Sequence, residues 1–238
     1  MGRLGIYAGL NFLYSVSKRL KVNEVYANEY QYRKGYGKDA TFGLEALGFF
    51  QNQEEIDAAP IQTFGDVRPG DLKYKDQNGD NIINSNDEVF LRNWQAPWSQ
   101  GLELRLSYKN FTLFLIGEGQ QGAKNFKEST YYWMDANDKY SEIALQSWTP
   151  ETKNTAKYPR ISSEANNNNL RRSTFWLYDN DYFNIRRVQL NYRVLKNMEV
   201  ALNAADLFQF AKNRVERDMR VGAEPYYRTY TVTLKAKF

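Results

Sequence analysis

The feature that most constrains how this chain can fold is a period-two alternation of apolar and polar residues, which recurs along its length. In the last segment, apolar or aromatic residues occupy every second position, with threonines and lysines between them. Side chains of a β-strand point alternately to its two faces, so this pattern predicts a strand with one apolar face. An apolar face that ends in a C-terminal aromatic residue is typical of the strand that closes a transmembrane barrel. The candidate closing residues are Tyr230, Val232, Leu234 and Phe238.

The same alternation predicts about seven strands of roughly 9–13 residues, a length that suits tilted membrane-spanning strands. The segments at 19–32 and 111–120 are extended but less regular than the others. No stretch approaches the ~18 apolar residues of a membrane-spanning helix, which excludes helical membrane proteins. The predicted strands lie near 3–15, 19–32, 98–108, 111–120, 181–193, 197–206 and 228–238.

Short and long connections alternate between these strands. Outer-membrane barrels combine tight periplasmic turns with long outer loops, whereas compact soluble domains rarely carry such loops. The expected fold class is therefore all-β, an antiparallel transmembrane β-barrel with long extracellular loops. A soluble β-sandwich with insertions is the alternative. The short joins lie near 16–18, 109–110 and 195–196, and the long outer loops span 33–97, 121–180 and 207–227.

Seven strands cannot close a barrel, because two unpaired edges would remain in lipid. Residues 1–238 are therefore expected to form the C-terminal part of a larger barrel, or to pair with another chain. The first residues lack the charged, apolar and small-residue regions of a signal peptide. Either the protein is cytoplasmic or its true N-terminus is missing.

Composition excludes several classes of function. The chain has no cysteine and no histidine, which removes disulfides, the usual zinc sites, and Ser-His or Cys-His catalysis. No pair of carboxylates stands out for acid-base chemistry, so no catalytic residue is assigned and we expect no enzyme. The net charge of +4 is spread along the chain. Nucleic acid is therefore not an expected partner.

An Asp/Asn-rich motif at 76–87 has the spacing of a calcium-binding loop. Oxygen donors stand at its positions 1, 3, 5 and 12 with an apolar residue at 8, and Ca²⁺ requires several oxygen ligands. Gly79 at position 4, Asn81 at position 6 and an aspartate at position 12 depart from the usual loop. A turn in which these side chains cap their own backbone is the alternative. The candidate calcium ligands are Asp76, Asn78, Asp80, Ile82 and Asp87.

The second long loop is rich in aromatic residues. Trp133, Trp148 and Trp176 are candidate substrate-binding residues, because rings near polar side chains stack on sugars. The asparagines at 166–169 add hydrogen-bonding groups. The alternative is that these residues pack the loop against itself or form an aromatic girdle.

Taken in order, several motifs resemble the SusC/RagA family of TonB-linked outer-membrane transporters, and the resemblance covers nearly all of the chain from about residue 40 onward. A calcium-like loop alone would be weak evidence for this family. The matching segments are Gly48–Gln51, Glu54–Ile56, Pro69–Asp80, Trp148–Glu151, Tyr158–Arg160, Ser173–Trp176, Asp181–Tyr192 and Arg228–Tyr230.

The resemblance implies the last strands of a barrel of about 22 strands with an N-terminal plug. It implies an energised importer of glycans or peptides in the outer membrane of Bacteroidetes-type bacteria. The implied partners are a SusD-like surface lipoprotein, TonB acting through the missing N-terminal part, the remainder of the barrel, outer-membrane lipid and the barrel-assembly machinery. The plug and the energy-coupling motif are absent from this sequence, so transport by the chain alone is not expected.

Within such a transporter, this chain would supply lumen wall and outer loops. The alternative function is a soluble β-rich glycan-binding module with a calcium-stabilised loop. The polar residues expected to face the lumen are Glu103, Arg105, Arg187, Gln189 and Asn191.

Overall fold

The computed structural model describes residues 3–136, 138–218 and 227–237. In this part of the chain, no helix combines the length and the apolar character needed to cross a membrane. Two short α-helices are α1 (Gln53–Asp57) and α2 (Arg214–Asp218). Short 3₁₀ helices are Glu29–Gln31, Ser85–Asp87, Glu142–Gln146 and Thr174–Trp176.

The strands of the described residues, in chain order, are β1 (Leu4–Tyr14), β2 (Ala40–Gly43), β3 (Ala46–Phe49), β4 (Ile61–Gln62), β5 (Leu72–Tyr74), β6 (Ile82–Ile83), β7 (Val89–Asn93), β8 (Trp98–Tyr108), β9 (Phe111–Gln121), β10 (Lys124–Phe126), β11 (Leu177–Asp179), β12 (Tyr182–Leu195), β13 (Met198–Phe210) and β14 (Thr229–Ala236).

The long strands form one antiparallel sheet in the order β1-β8-β9-β12-β13-β14. Tight turns join β8 to β9 and β12 to β13, where the sequence predicts short joins. Lys109 has a φ of 51°, a left-handed backbone that is common in two-residue hairpin turns. Long connections join the strands at the opposite end of the sheet. An all-β, mostly antiparallel structure is therefore confirmed.

The predicted strand at 19–32 is wrong. Residues 15–26 pair with no strand, and Glu29–Gln31 is a 3₁₀ helix. β1 instead pairs directly with β8, and Ser15 N donates to Pro97 O at 2.9 Å. Residues 15–97 thus form one long connection, and the join predicted at 16–18 is not a hairpin. Six strands, rather than seven, make up the described sheet.

One face of this sheet is apolar from edge to edge. Aliphatic residues fill its middle, and rings lie toward both ends, with Tyr14 against Trp98 at one end and Phe111 against Tyr192 at the other, each pair 4.6 Å apart between centroids. Phe12, which belongs to this face, is 70% exposed, so other described residues leave most of its ring uncovered. A central row crosses all six strands through Ile6, Leu106, Leu113, Leu190, Leu202 and Val232.

The two long loops fold against each other into one unit, which we call the loop subdomain (residues 33–97 and 121–180). Four small two-stranded sheets organise it: β2-β7, β3-β5, β10-β11 and the parallel pair β4-β6. Its core draws residues from both loops, so neither loop buries its apolar side chains alone. The buried core residues are Leu44, Leu72, Tyr74, Ile83, Phe126, Tyr132, Met134, Ile143 and Trp176.

Candidate lumen wall and outer cleft

The face of the sheet opposite the apolar one is predominantly polar. The five residues predicted to face the lumen, Glu103, Arg105, Arg187, Gln189 and Asn191, all lie on it by register. Three of them form a hydrogen-bonded chain along β12. Arg187 Nη2 donates to Gln189 Oε1 at 2.8 Å, and Gln189 Nε2 donates to Asn191 Oδ1 at 2.7 Å. These bonds align the three side chains along β12.

A β-bulge adds a further charged group that the sequence analysis missed. Against β9, the register of β12 shifts between Ile185 and Arg187, which leaves Arg186 as an extra residue. Arg186 Nε lies 3.0 Å from Glu118 Oε1, and its Nη1 donates to Asp206 Oδ1 at 2.5 Å. A change of parity in the apolar pattern signals this bulge, because apolar positions are odd up to Ile185 and even afterwards.

A polar cleft of about 690 Å³ lies where residues of all three long connections meet. Three lysines and three carboxylates line it together with aromatic and aliphatic side chains. Lys127 Nζ lies 3.3 Å from Glu216 Oε1, so these two charged groups already form an ion pair within the chain. The charged lining residues are Lys124, Lys127, Lys212, Glu45, Asp179 and Glu216.

The three candidate substrate-binding tryptophans belong to the interior of the loop subdomain. Trp176 is 1% exposed and Trp148 is 7% exposed, while Trp133 is half-buried with its ring centroid 6.1 Å from that of Trp176. Trp176 Nε1 donates to Asn169 O at 2.8 Å. These positions correct the prediction for Trp148 and Trp176, because a buried ring offers no free face to a ligand, and they fit the alternative in which the loop packs against itself. Sugar stacking by the half-buried Trp133 stays a prediction.

The asparagine tract at 166–169 is part of a buried polar network centred on Asp71, whose side chain is fully buried. Asn166 and Asn169 donate to Asp71 Oδ1 at 3.0 and 2.7 Å, and Arg160 Nε lies 2.8 Å from the same oxygen. Asn168 Nδ2 donates to Leu72 O. The network joins the two long loops through residues almost a hundred positions apart, and no local pattern could have revealed it.

The Asp/Asn motif at 76–87 folds as a turn capped by its own side chains. Asp76 accepts hydrogen bonds from the backbone of Gly79 and Asn81, and Asp87 accepts from Gln77 and Asn84. Desolvation alone would raise the pKa of Asp76, but the backbone N–H groups of Asn81 and Gly79 outweigh it and lower the pKa below its ordinary value. The capped-turn alternative describes this geometry.

Among the described residues, no three carboxylates gather around one point as metal ligands. Asp80 Oδ1 accepts from Ile82 N at 2.8 Å, and Asn78 Nδ2 donates to Asp80 Oδ2 at 2.8 Å. The side-chain oxygens of the first part of the motif therefore lie close together, while the buried Asp87 is turned to its own backbone partners. Calcium binding by this loop stays a prediction.

Three of the four candidate closing residues lie on β14, which forms one edge of the sheet. Tyr230, Val232 and Leu234 are exposed and extend the apolar face. Phe238 lies outside the described residues. Strand β1 forms the other edge, so the described sheet is open on both sides.

The chain was compared with known proteins in three ways. No protein-family profile matches it, whereas a curated relative and solved structures do. A TonB-dependent receptor of Formosa agariphila is 30% identical over 185 residues, which cover 73% of this chain and 18% of that receptor. This chain therefore spans only a small part of the length of that relative.

Two solved structures show the same fold. The RagAB peptide importer in its open-open state matches with a TM-score of 0.66 and 16% identity, over 99% of this chain and 27% of its own. The RagAB peptide transporter matches with a TM-score of 0.59 and 17% identity, over 89% and 24%. The sequence match to the receptor and the shared fold agree with the motif series that runs from Gly48 to Tyr230. The chain belongs to the TonB-dependent receptors, and its fold is that of the RagAB structures.

Proposed function

We propose that this chain forms part of the wall and outer mouth of an outer-membrane importer that is energised through TonB. The observation that carries the proposal is the six-stranded sheet, with an exposed apolar face crossing every strand and a polar face behind it. Such a sheet fits a wall between lipid and a water-filled lumen, with aromatic rings near the two membrane interfaces. The rest of the barrel would pair with β1 and β14.

The loop subdomain would stand at the outer mouth, where a SusD-like lipoprotein and the substrate would meet it. The substrate is proposed to be a peptide or a glycan. The cleft favours peptides, because an oligopeptide offers both charges to its lysines and carboxylates, whereas a neutral glycan offers neither. The structural neighbours are themselves named as a peptide importer and transporter.

A pair of arginine substitutions on β8 tests the wall. Leu104→Arg places a charge on the apolar face, and we expect it to destabilise the inserted protein by about 2–4 kcal/mol near the bilayer mid-plane. Ser107→Arg places the same charge on the polar face of the same strand and serves as the control. The readouts are the fraction of intact protein that is folded in outer membranes and its urea midpoint in lipid vesicles. Equal effects of the two variants would show that the apolar face does not meet lipid.

Uptake by cells tests the substrate. Cells that carry the intact protein as their sole importer of this kind are given fluorescent oligopeptides or fluorescent neutral oligosaccharides. We expect oligopeptide uptake, abolished when TonB is deleted. Oligosaccharide uptake alone would reject peptides as the substrate class, and TonB-independent uptake would reject the energised importer.

A further inference from the structure

The segment that follows β1 is extended, but its backbone is largely unpaired. Neither helix, turn nor bend interrupts residues 15–26. Between Leu20 and Val25, no backbone N–H or carbonyl forms a hydrogen bond with another described residue. Leu20 is 73% exposed and Val25 is 92% exposed. An extended, exposed stretch of this kind is a template for pairing with another strand.

One edge of this segment is already used. Arg19 N donates to Tyr36 O at 2.8 Å, and Arg19 O accepts from Gly35 N at 2.9 Å. Gly35 has a φ of +94°. Arg19 therefore faces two residues, Gly35 and Tyr36, and the first of these is a glycine in left-handed geometry. This arrangement is a G1 bulge of an antiparallel pair. The chain at Arg19 therefore has β-pairing geometry, although no regular strand is formed.

The other edge continues the open edge of β1. Ser15 N donates to Pro97 O on the β8 side, and both backbone groups of Arg19 point to residues 35–36. In an extended chain, the backbone groups of successive residues point to opposite edges. The even-numbered residues from Leu4 to Tyr14 therefore direct their backbone groups to the open edge of β1. Leu20, Val22 and Glu24 have the same parity.

We propose that the barrel strand preceding β1 runs beyond the membrane and adds to residues 20–24 by β-augmentation. This inference rests on the proposed function, because β1 must have a neighbour on its open edge if it lies in lipid. The neighbour is already aligned with this edge, so it reaches residues 20–24 by extending straight on. Leu20 and Val22 also share the parity of the apolar face of β1, which gives the added strand apolar cross-strand contacts.

Amide hydrogen exchange of the intact protein, resolved to single residues in detergent, tests the pairing. We expect the amides of Leu20, Val22 and Glu24 to exchange at least 100-fold more slowly than those of Lys21 and Asn23. Uniformly fast exchange across 20–24 would overturn the proposal. So would protection that arises only when a surface lipoprotein is co-purified, because the lipoprotein would then be the occupant.

A matched pair of proline variants checks the parity. Val22→Pro removes an N–H from the proposed pairing edge, and we expect at least a tenfold loss of protection at Leu20 and Glu24. Asn23→Pro removes an N–H from the opposite edge and should leave that protection intact. Equal effects would overturn the proposal.

Outer-membrane location and heat-modifiable migration of the wild-type protein are scored in the same samples. Failure of these two readouts would count against the barrel itself. If the folded barrel is present but residues 20–24 are unprotected, only the added strand is rejected.

Discussion

At the scale of single residues, Gly70 illustrates how tightly the two long loops are packed. It has a φ of +91°, and a Cβ built there would lie 2.7 Å from Trp148 Cδ2. Gly70 N donates to Phe50 O at 2.7 Å, while Arg160 N donates to Gly70 O at 2.9 Å. The absence of a side chain thus lets backbone from one loop pass directly against a ring from the other.

A comparison of two glycines separates this packing from backbone strain. Gly79 also has positive φ, at +75°, but a Cβ there would meet no atom within 4 Å. We expect Gly79→Ala to cost about 1–2 kcal/mol through left-handed strain alone. Gly70→Ala should cost about 1–3 kcal/mol more, because the ring of Trp148 must also move. Denaturant unfolding of the intact protein, followed by tryptophan fluorescence, measures both, and equal losses would contradict this packing.

Residue-level prediction from the sequence succeeded where a local repeat specified the answer. Gln189 and Asn191 were assigned to the polar face because strand parity depends only on neighbours in the chain. For Trp148 and Asn168 the sequence left a surface role and a packed role open, because an aromatic or an amide looks the same whether it faces water or a buried partner from a distant loop. Their partners were not visible in any local window.

At the scale of elements, the contrast between local patterns and distant partners also explains which strands were predicted correctly. β8, β12, β13 and β14 were predicted within a few residues from their alternation, and β9 from the short turn that joins it to β8. The segment at 19–32 has strand-forming residues such as Leu20 and Val22, yet a strand also requires a hydrogen-bonded neighbour. Sequence composition reports the preference of a segment and leaves the neighbour unspecified.

The 76–87 turn is an element whose metal binding can be measured. Its clustered side-chain oxygens retain lone pairs beyond those used by the backbone, so we expect Ca²⁺ to raise the unfolding temperature of the intact protein. The double variant Asp76→Ala/Asp80→Ala should abolish the rise, because it removes two of the three carboxylates of the turn. Isothermal titration of wild type and variant provides the second measurement. Equal calcium binding by the two would exclude this loop as the site.

At the scale of the whole molecule, the sheet and the loop subdomain are held together by different forces. The sheet relies on strand pairing and exposes its apolar face, whereas the loop subdomain has a buried core and the buried Asp71 network. We therefore expect disruption of the network to unfold the loops while the strands remain paired.

Asp71→Ala tests this separation. It leaves the largely buried Arg160 without its carboxylate partner, and loss of one member of a buried pair costs about 3–5 kcal/mol. Limited proteolysis should cut within 33–97 and 121–180 while heat-modifiable migration is retained. Asp66→Ala removes an exposed carboxylate and should change stability by less than about 0.5 kcal/mol. Simultaneous loss of loops and barrel would contradict two separable units.

The direct pairing of β1 with β8 also bears on the order in which the sheet assembles. The β8-β9 and β12-β13 hairpins close over two-residue turns, whereas β1 reaches β8 only across residues 15–97. The chain entropy lost on closing a loop increases with its length, and hairpins form within microseconds. The hairpins are therefore expected to form early, and the pairing of β1 to be delayed until the intervening loop has become compact. Until then β8 has a free edge, which makes that strand the point where the nascent sheet is most exposed to wrong partners.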